Sequence, residues 1–267
     1  MPIDYFCTVM STVLYSSPIF GPVHSRRLGV SLGINLMPAD GKICTFDCIY
    51  CECGRNSDHH PHHHRPTRRE VYDALRSTLA RMKAEGPEPN VITFAGNGEP
   101  TANPEFPGIV DDVLELRDEF FPQAKVSVLS NGTRVTDPAI FSALLKLDNN
   151  IQKLDTVDND YIRMLDNPVG HYDLDAIVQA FCEFKGHIII QTMFLTGTLN
   201  DHDMNNTTDE YVQPWIETVK RIAPKQVMIY TIDRETPVST LRKASHEQLD
   251  RIASLLRSNG LETSVSY

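Results

Sequence analysis

From residue 32 onward the chain repeats one pattern. A short apolar or β-branched run is followed by a longer stretch with apolar residues at helical spacing. The runs lie at 32–36, 91–94, 125–129, 151–154, 188–194 and 227–232, with 261–265 as a short closing strand. Helical stretches follow at about 68–82, 104–120, 138–147, 174–184, 209–222 and 246–257. Thr67 and Glu70 have capping-box spacing, and behind them Val71, Leu75, Leu79 and Met82 mark one helical face. Six such βα units with short connections predict parallel strands joined by right-handed crossovers. Six is short of the eight that close a full barrel, so an open barrel and a doubly wound sheet both satisfy the pattern. With no repeat, linker or composition break, 31–267 is expected to form one α/β domain and 1–30 an N-terminal extension.

The 267 residues are 41% hydrophobic, with 14 glycines and 17 prolines, which excludes disordered and collagen-like classes. The formal charge of −10 repels a polyanion unless basic residues gather locally, so extensive nucleic-acid binding is not expected. No apolar run approaches the roughly 18–20 residues that span a bilayer. Residues 1–20 lack a basic leader and a clean apolar stretch, so the expected setting is cytoplasmic, without a membrane.

Four of the six cysteines fall within ten residues, and Cys44, Cys48 and Cys51 form a C-x3-C-x2-C run. Thiolates this close on a loop after a strand can hold one soft metal or one cluster. Structural zinc usually takes four ligands in two separated pairs, and no second pair exists here. Three ligands on a 4Fe–4S cluster leave one iron open for chemistry. A set of inert buried thiols is the plain alternative. Cys53 reads as incidental, and Cys7 and Cys182 as lone thiols.

This spacing resembles that of the radical S-adenosylmethionine (radical SAM) superfamily. Gly96-Asn97-Gly98-Glu99-Pro100-Thr101, after the second strand, is similar to its glycine–glutamate motif. The stretch from Gly21 to Asn35, leading into Cys44 to Gly54, resembles the branch of wyosine-tRNA synthase-like proteins. The resemblance implies a partial (β/α)6 barrel open on one side, with Cys44, Cys48 and Cys51 on a 4Fe–4S cluster. It implies S-adenosylmethionine on the fourth iron, cleaved by one electron to methionine and a 5′-deoxyadenosyl radical that abstracts hydrogen. It also implies a flavodoxin- or ferredoxin-like electron donor. Glycyl-radical activating enzymes have similar length and one cluster, but Val157 stands where they usually carry lysine. A non-enzymatic iron–sulfur or zinc module would not need the glycine–glutamate loop.

Glycines at 96 and 98 let backbone approach a ligand, Glu99 can accept from an ammonium group, and Pro100 restricts the loop's exit. By resemblance, Ser130 and Asn131 reach the methionine moiety or ribose, Asp155 meets the ribose hydroxyls, and Tyr50 lies near adenine. Gln191, Met193, Tyr230 and Thr231 sit on the fifth and sixth strands, where alternation turns about half of them to the interior. Five histidines between His59 and His64 read as a solvated loop. Arg26, Arg27 and Arg234 are candidates for a phosphate or carboxylate on the substrate, Arg234 lying beyond the sixth strand. That substrate is expected to be a small molecule or an exposed part of a larger partner.

Overall fold

The computed structural model describes residues 12–25 and 29–267. β1 (Ile19–Ser25) pairs antiparallel with β2 (Gly29–Ile34), although it lies in the stretch read as an extension. The Phe20 ring covers Gly33, where an added Cβ would fall 2.1 Å from the ring, so β1 packs across β2 as well as beside it. After β2 come the cysteine loop and α1 (Arg68–Glu85). Thr67 caps this helix as expected: its hydroxyl accepts from the Glu70 N–H and Glu70 returns to the Thr67 N–H at 2.7 Å. Val71, Leu75, Leu79 and Met82 are its buried face.

The alternation then continues through β3 (Val91–Phe94), α2 (Phe106–Phe120), β4 (Lys125–Ser130), α3 (Pro138–Leu144) and β5 (Asn149–Lys153). Two helices follow β5, α4 (Asn159–Leu165) and α5 (Leu174–Glu183), before β6 (Ile189–Met193). The chain leaves the main sheet for β7 (Leu195–Leu199) and β8 (His202–Asp203), then returns through α6 (Asp209–Ile222) and β9 (Gln226–Tyr230). β10 (Leu241–Lys243), α7 (His246–Ser258) and β11 (Thr263–Ser266) complete it. The periodicity reading missed β1, α4 and the small β10-β7-β8 sheet. These are short elements, of two to seven residues, in which a period is hard to see.

The main sheet has the order β1-β2-β3-β4-β5-β6-β9-β11, parallel from β2 to β11. Among the described residues β1 and β11 are its two edges, so it is an open, partial barrel and not a closed one. Alternation gives the sheet two faces. Leu32, Ile34, Ile92, Phe94, Val126, Val128, Ile190, Val227 and Ile229 pack in the large core beneath the helices. On the inner face Ile151, Ile189 and Met228 form a small cluster with Leu129. Strand alternation puts Lys153, Gln191, Met193 and Tyr230 on that inner face, towards the C-terminal ends of the strands. No helix among the described residues is long and apolar enough to cross a membrane.

Candidate active site

The cysteine loop runs along the C-terminal ends of β2 and β3. Ile43 pairs with Gly98, its N–H donating to the Asn97 carbonyl at 3.0 Å, while the Glu99 N–H donates to the Ile43 carbonyl at 3.3 Å. On its other side the loop is fastened to the segment after α4. The N–H groups of Asp47 and Ile49 donate to the carbonyls of Asp166 and Leu165, and Val169 donates to Thr45. Phe46 is buried against Tyr172, with ring centroids 5.4 Å apart. Backbone bonds on both flanks therefore fix the loop that carries Cys44, Cys48 and Cys51, all three of them free thiols.

Each thiol has a distinct environment. Burial pushes Cys44 up to about 12, helped by the Glu99 carboxylate, and burial pushes Cys48 well up too. Cys51 is held down at about 6, first by a hydrogen bond from Cys53 and then, against burial, by Lys42. The Asn131 amide stands 3.7 Å from Cys44 Sγ. Cys53 is buried beside Cys51, and its Sγ also lies 3.7 Å from the Gly96 carbonyl. Among the described residues no three His, Cys, Asp or Glu side chains converge as ligands of one metal ion. Ligands that serve separate irons do not have to meet at one point. Three soft thiols on one fixed loop, beside a donor amide and a buried lysine, fit a cluster of iron and sulfide.

The glycine loop after β3 has a different internal logic from the one its sequence suggests. An ideal Cβ on Gly98 would lie 1.9 Å from the Ile43 carbonyl oxygen, and one on Gly96 would lie 2.7 Å from the Asn35 side chain. The glycines thus admit the protein's own backbone and side chains. Asn97 is fully buried; its amide donates to the carbonyls of Tyr15 and Pro38, both at 2.9 Å, and its carbonyl accepts from the Tyr15 N–H at 2.8 Å. Glu99 Oε1 accepts from the Ser130 and Thr101 hydroxyls and the Thr101 N–H, and Oε2 from the Asn131 N–H at 2.7 Å. Burial raises its carboxyl above the usual range even against these four donors. Glu99, Ser130 and Asn131 are brought together, with the carboxylate clasping the end of β4. Pro100 opens a 3₁₀ turn at Pro100–Ala102 capped by Glu99.

Below them lies a second polar centre. Asp155 is buried and accepts from the Tyr50 hydroxyl, from Lys153 Nζ and, at 2.9 Å, from the Met193 N–H. Lys153 also donates to Asp166 and to Tyr50, and its ammonium lies 4.9 Å from the centroid of the Tyr50 ring. Burial works against the Lys153 charge, but Asp155 and Asp166 outweigh it and raise the ammonium well above its ordinary range. Asp166 is pushed up to about 6, mainly by burial. The sequence reading singled out Tyr50 and Asp155 but missed Lys153 and Asp166. Lys153 closes β5 and Asp155 lies two residues beyond it, so their pairing depends on the path the chain takes as it leaves the strand.

Gln191, Met193 and Tyr230 share the inner face, and Met193 and Tyr230 pack around Ile49 and Tyr50. Thr231, the neighbour of Tyr230, has the opposite parity; it is buried and its hydroxyl accepts from the Ala244 N–H at 2.8 Å. Arg234 is half exposed and pairs with Glu52 at 3.0 Å, also donating to the Tyr15 hydroxyl. Arg26 and Arg27 lie outside the described residues. The histidines scatter as a surface loop: His59 meets the Cys53 carbonyl, His64 pairs with Glu70, and the N–H groups of His62 and His63 hold Asp40.

The chain is 27% identical over 252 residues, 92% of its length, to a GTPase Obg of Brachyspira hyodysenteriae, of which it spans about a third (34%). It is 29% identical over 244 residues to a UPF0026 protein of Methanocaldococcus jannaschii, covering 88% of this chain and 70% of that one. A radical SAM methyltransferase from Sphaerobacter thermophilus superposes with a TM-score of 0.63 at 15% identity, over 89% of this chain and 66% of that one. At that identity the likeness concerns the fold. The Radical SAM superfamily model matches residues 40–211, from just before Cys44 to the start of α6, and with more than half of its length inside that match the chain belongs to the radical SAM superfamily.

Proposed function

We propose that this chain is a radical SAM enzyme that binds one 4Fe–4S cluster through Cys44, Cys48 and Cys51. The observation that carries the reading is the backbone pairing, in a superfamily member, of the loop that bears those three thiols with the glycine loop that follows β3, Ile43 against Gly98. When bound, the cluster supplies the electron that splits S-adenosylmethionine into methionine and a 5′-deoxyadenosyl radical able to abstract hydrogen from substrate. The protein's part is to hold, orient and keep dry. Glu99 braces the glycine loop against β4, so the Asn131 amide stays near Cys44. Tyr50 is braced by Asp155 and Lys153 beside the last ligand, at the position proposed to meet adenine. Gln191, Met193 and Tyr230 line the approach from the inner face of the barrel. The open edge between β1 and β11 suits a small substrate, or an exposed part of a larger one, that helps to exclude water itself. A flavodoxin- or ferredoxin-like protein would deliver the electron.

Anaerobic reconstitution with iron and sulfide, followed by reduction with dithionite and addition of S-adenosylmethionine, tests the reading. The expected product is 5′-deoxyadenosine, found by mass spectrometry. A fully loaded, reduced protein that leaves S-adenosylmethionine intact would overturn it.

A further inference from the structure

Lysine is seldom buried unless an anion accompanies it. Lys42 is nonetheless buried, its side chain 1% exposed, within the loop that carries the three cysteines. Its Nζ donates to the Gly54 carbonyl at 2.8 Å and to Asp47 Oδ1 at 3.4 Å. Two residues before Cys44 and three after Cys51, this strap encloses all the ligands. Asp47 is a divided partner: its Oδ1 accepts from the Asn56 N–H at 2.7 Å and its Oδ2 lies 3.9 Å from Arg55. One carboxylate thus stands between two cations, and the remaining positive charge lies inside the loop. Held there by Gly54 and Asp47, the ammonium is also in direct side-chain contact with Cys51.

We propose that Lys42 is a fixed internal countercharge for a 4Fe–4S cluster on Cys44, Cys48 and Cys51, and that it makes the cluster easier to reduce. The proposal rests on the cluster reading above. Reduction adds one electron and one negative charge to a group enclosed by protein. A cation held nearby favours the reduced form, and cluster potentials respond to net charge and to hydrogen bonds on sulfur. The strap to Gly54 keeps that cation from swinging out to water. Lys42 is in this sense a positioning residue whose action reaches the chemistry through the cluster.

The test is a potentiometric titration of the anaerobically reconstituted full chain with dithionite, followed by electron paramagnetic resonance, without S-adenosylmethionine. Lys42→Gln keeps a donor for the Gly54 carbonyl but removes the charge. Lys42→Arg keeps the charge. Asp47→Asn keeps the Oδ1 acceptor and removes the opposing charge. At the potential where half the wild type is reduced, Lys42→Gln should show a reduced-to-oxidised ratio about tenfold lower, or about 59 mV for one electron. Lys42→Arg should stay near wild type, and Asp47→Asn should shift the other way. A fully loaded Lys42→Gln with the wild-type midpoint would overturn the proposal. If Lys42→Gln holds no iron, Asp47→Asn decides: a raised midpoint supports the countercharge and an unchanged one overturns it. A wild type that takes up no iron would instead overturn the cluster reading.

Discussion

Gly98 lies against Ile43 so closely that a Cβ on the glycine would sit 1.9 Å from the Ile43 carbonyl oxygen. The backbone at Gly98 has φ +133°, a conformation L side chains rarely adopt. The sequence suggests that a larger residue here would obstruct S-adenosylmethionine. The structure places a first obstruction nearer, in the loop backbone just before Cys44.

Gly98→Ala should therefore damage the cysteine loop as well as cofactor binding. Overpacking costs about 1–3 kcal/mol, and the backbone strain adds about 1 more. For a domain of this size that is a loss of roughly 5–15 °C in Tm. Thermal melting and iron analysis after reconstitution check it together. A variant with the wild-type Tm and full iron would mean that the two loops are free to slide apart.

Removing a ligand should act on iron alone. Cys44→Ala, Cys48→Ala and Cys51→Ala are each expected to lose most of the iron and sulfide. Cys53→Ala should retain it, since that thiol hydrogen-bonds Cys51 and the Gly96 carbonyl and is not one of the three ligands. Colorimetric iron and sulfide assays distinguish the four. Iron kept without Cys51 would refute the ligand set.

Much of this was legible in the residues. All six parallel strands from β2 to β9 and six of the seven α-helices among the described residues announce themselves by apolar period, and Thr67 marks the start of α1 by capping chemistry. The cysteines and the glycine loop were legible as well, because their spacing is local. What stayed hidden depends on contacts across the chain. Nothing near Asn97 in sequence shows that it grips Tyr15, 82 residues upstream. Lys42 and Lys153 look like ordinary solvated lysines until the fold buries them. Asp166, thirteen residues beyond Lys153, is joined to it only by the path of α4.

Lys153 provides a stability prediction that its sequence neighbours would not suggest. Its side chain is 13% exposed, while those of Asp155 and Asp166 are 0% and 4% exposed. Lys153→Met removes the cation that both carboxylates share. Breaking a buried pair in this way typically costs about 3–5 kcal/mol, because a charge remains without compensation. Urea unfolding of the iron-free protein should show a loss of that order. A loss below about 1 kcal/mol would mean that water already reaches the carboxylates.

Asn97 connects the glycine loop to the segment before β1, and its amide cannot be imitated by a carboxylate of the same shape. Its carbonyl accepts from the Tyr15 N–H, while its Nδ2 donates to the carbonyls of Tyr15 and Pro38. In Asn97→Ala the Tyr15 N–H and the Pro38 carbonyl lose their side-chain partner and the Tyr15 carbonyl keeps only Asn35, at about 1–3 kcal/mol for a buried polar group left unsatisfied. In Asn97→Asp one oxygen still accepts from Tyr15, but the other faces two carbonyl oxygens, in a site with no exposure to water. Asp should therefore be at least as destabilising as Ala despite its closer shape. The loss should also be local. Hydrogen exchange at residues 12–18 should quicken in both variants, while the buried face of α1, far from that contact, keeps its protection. If Asn97→Asp were as stable as wild type, with residues 12–18 equally protected, then the three hydrogen bonds would not be what holds that segment to the site.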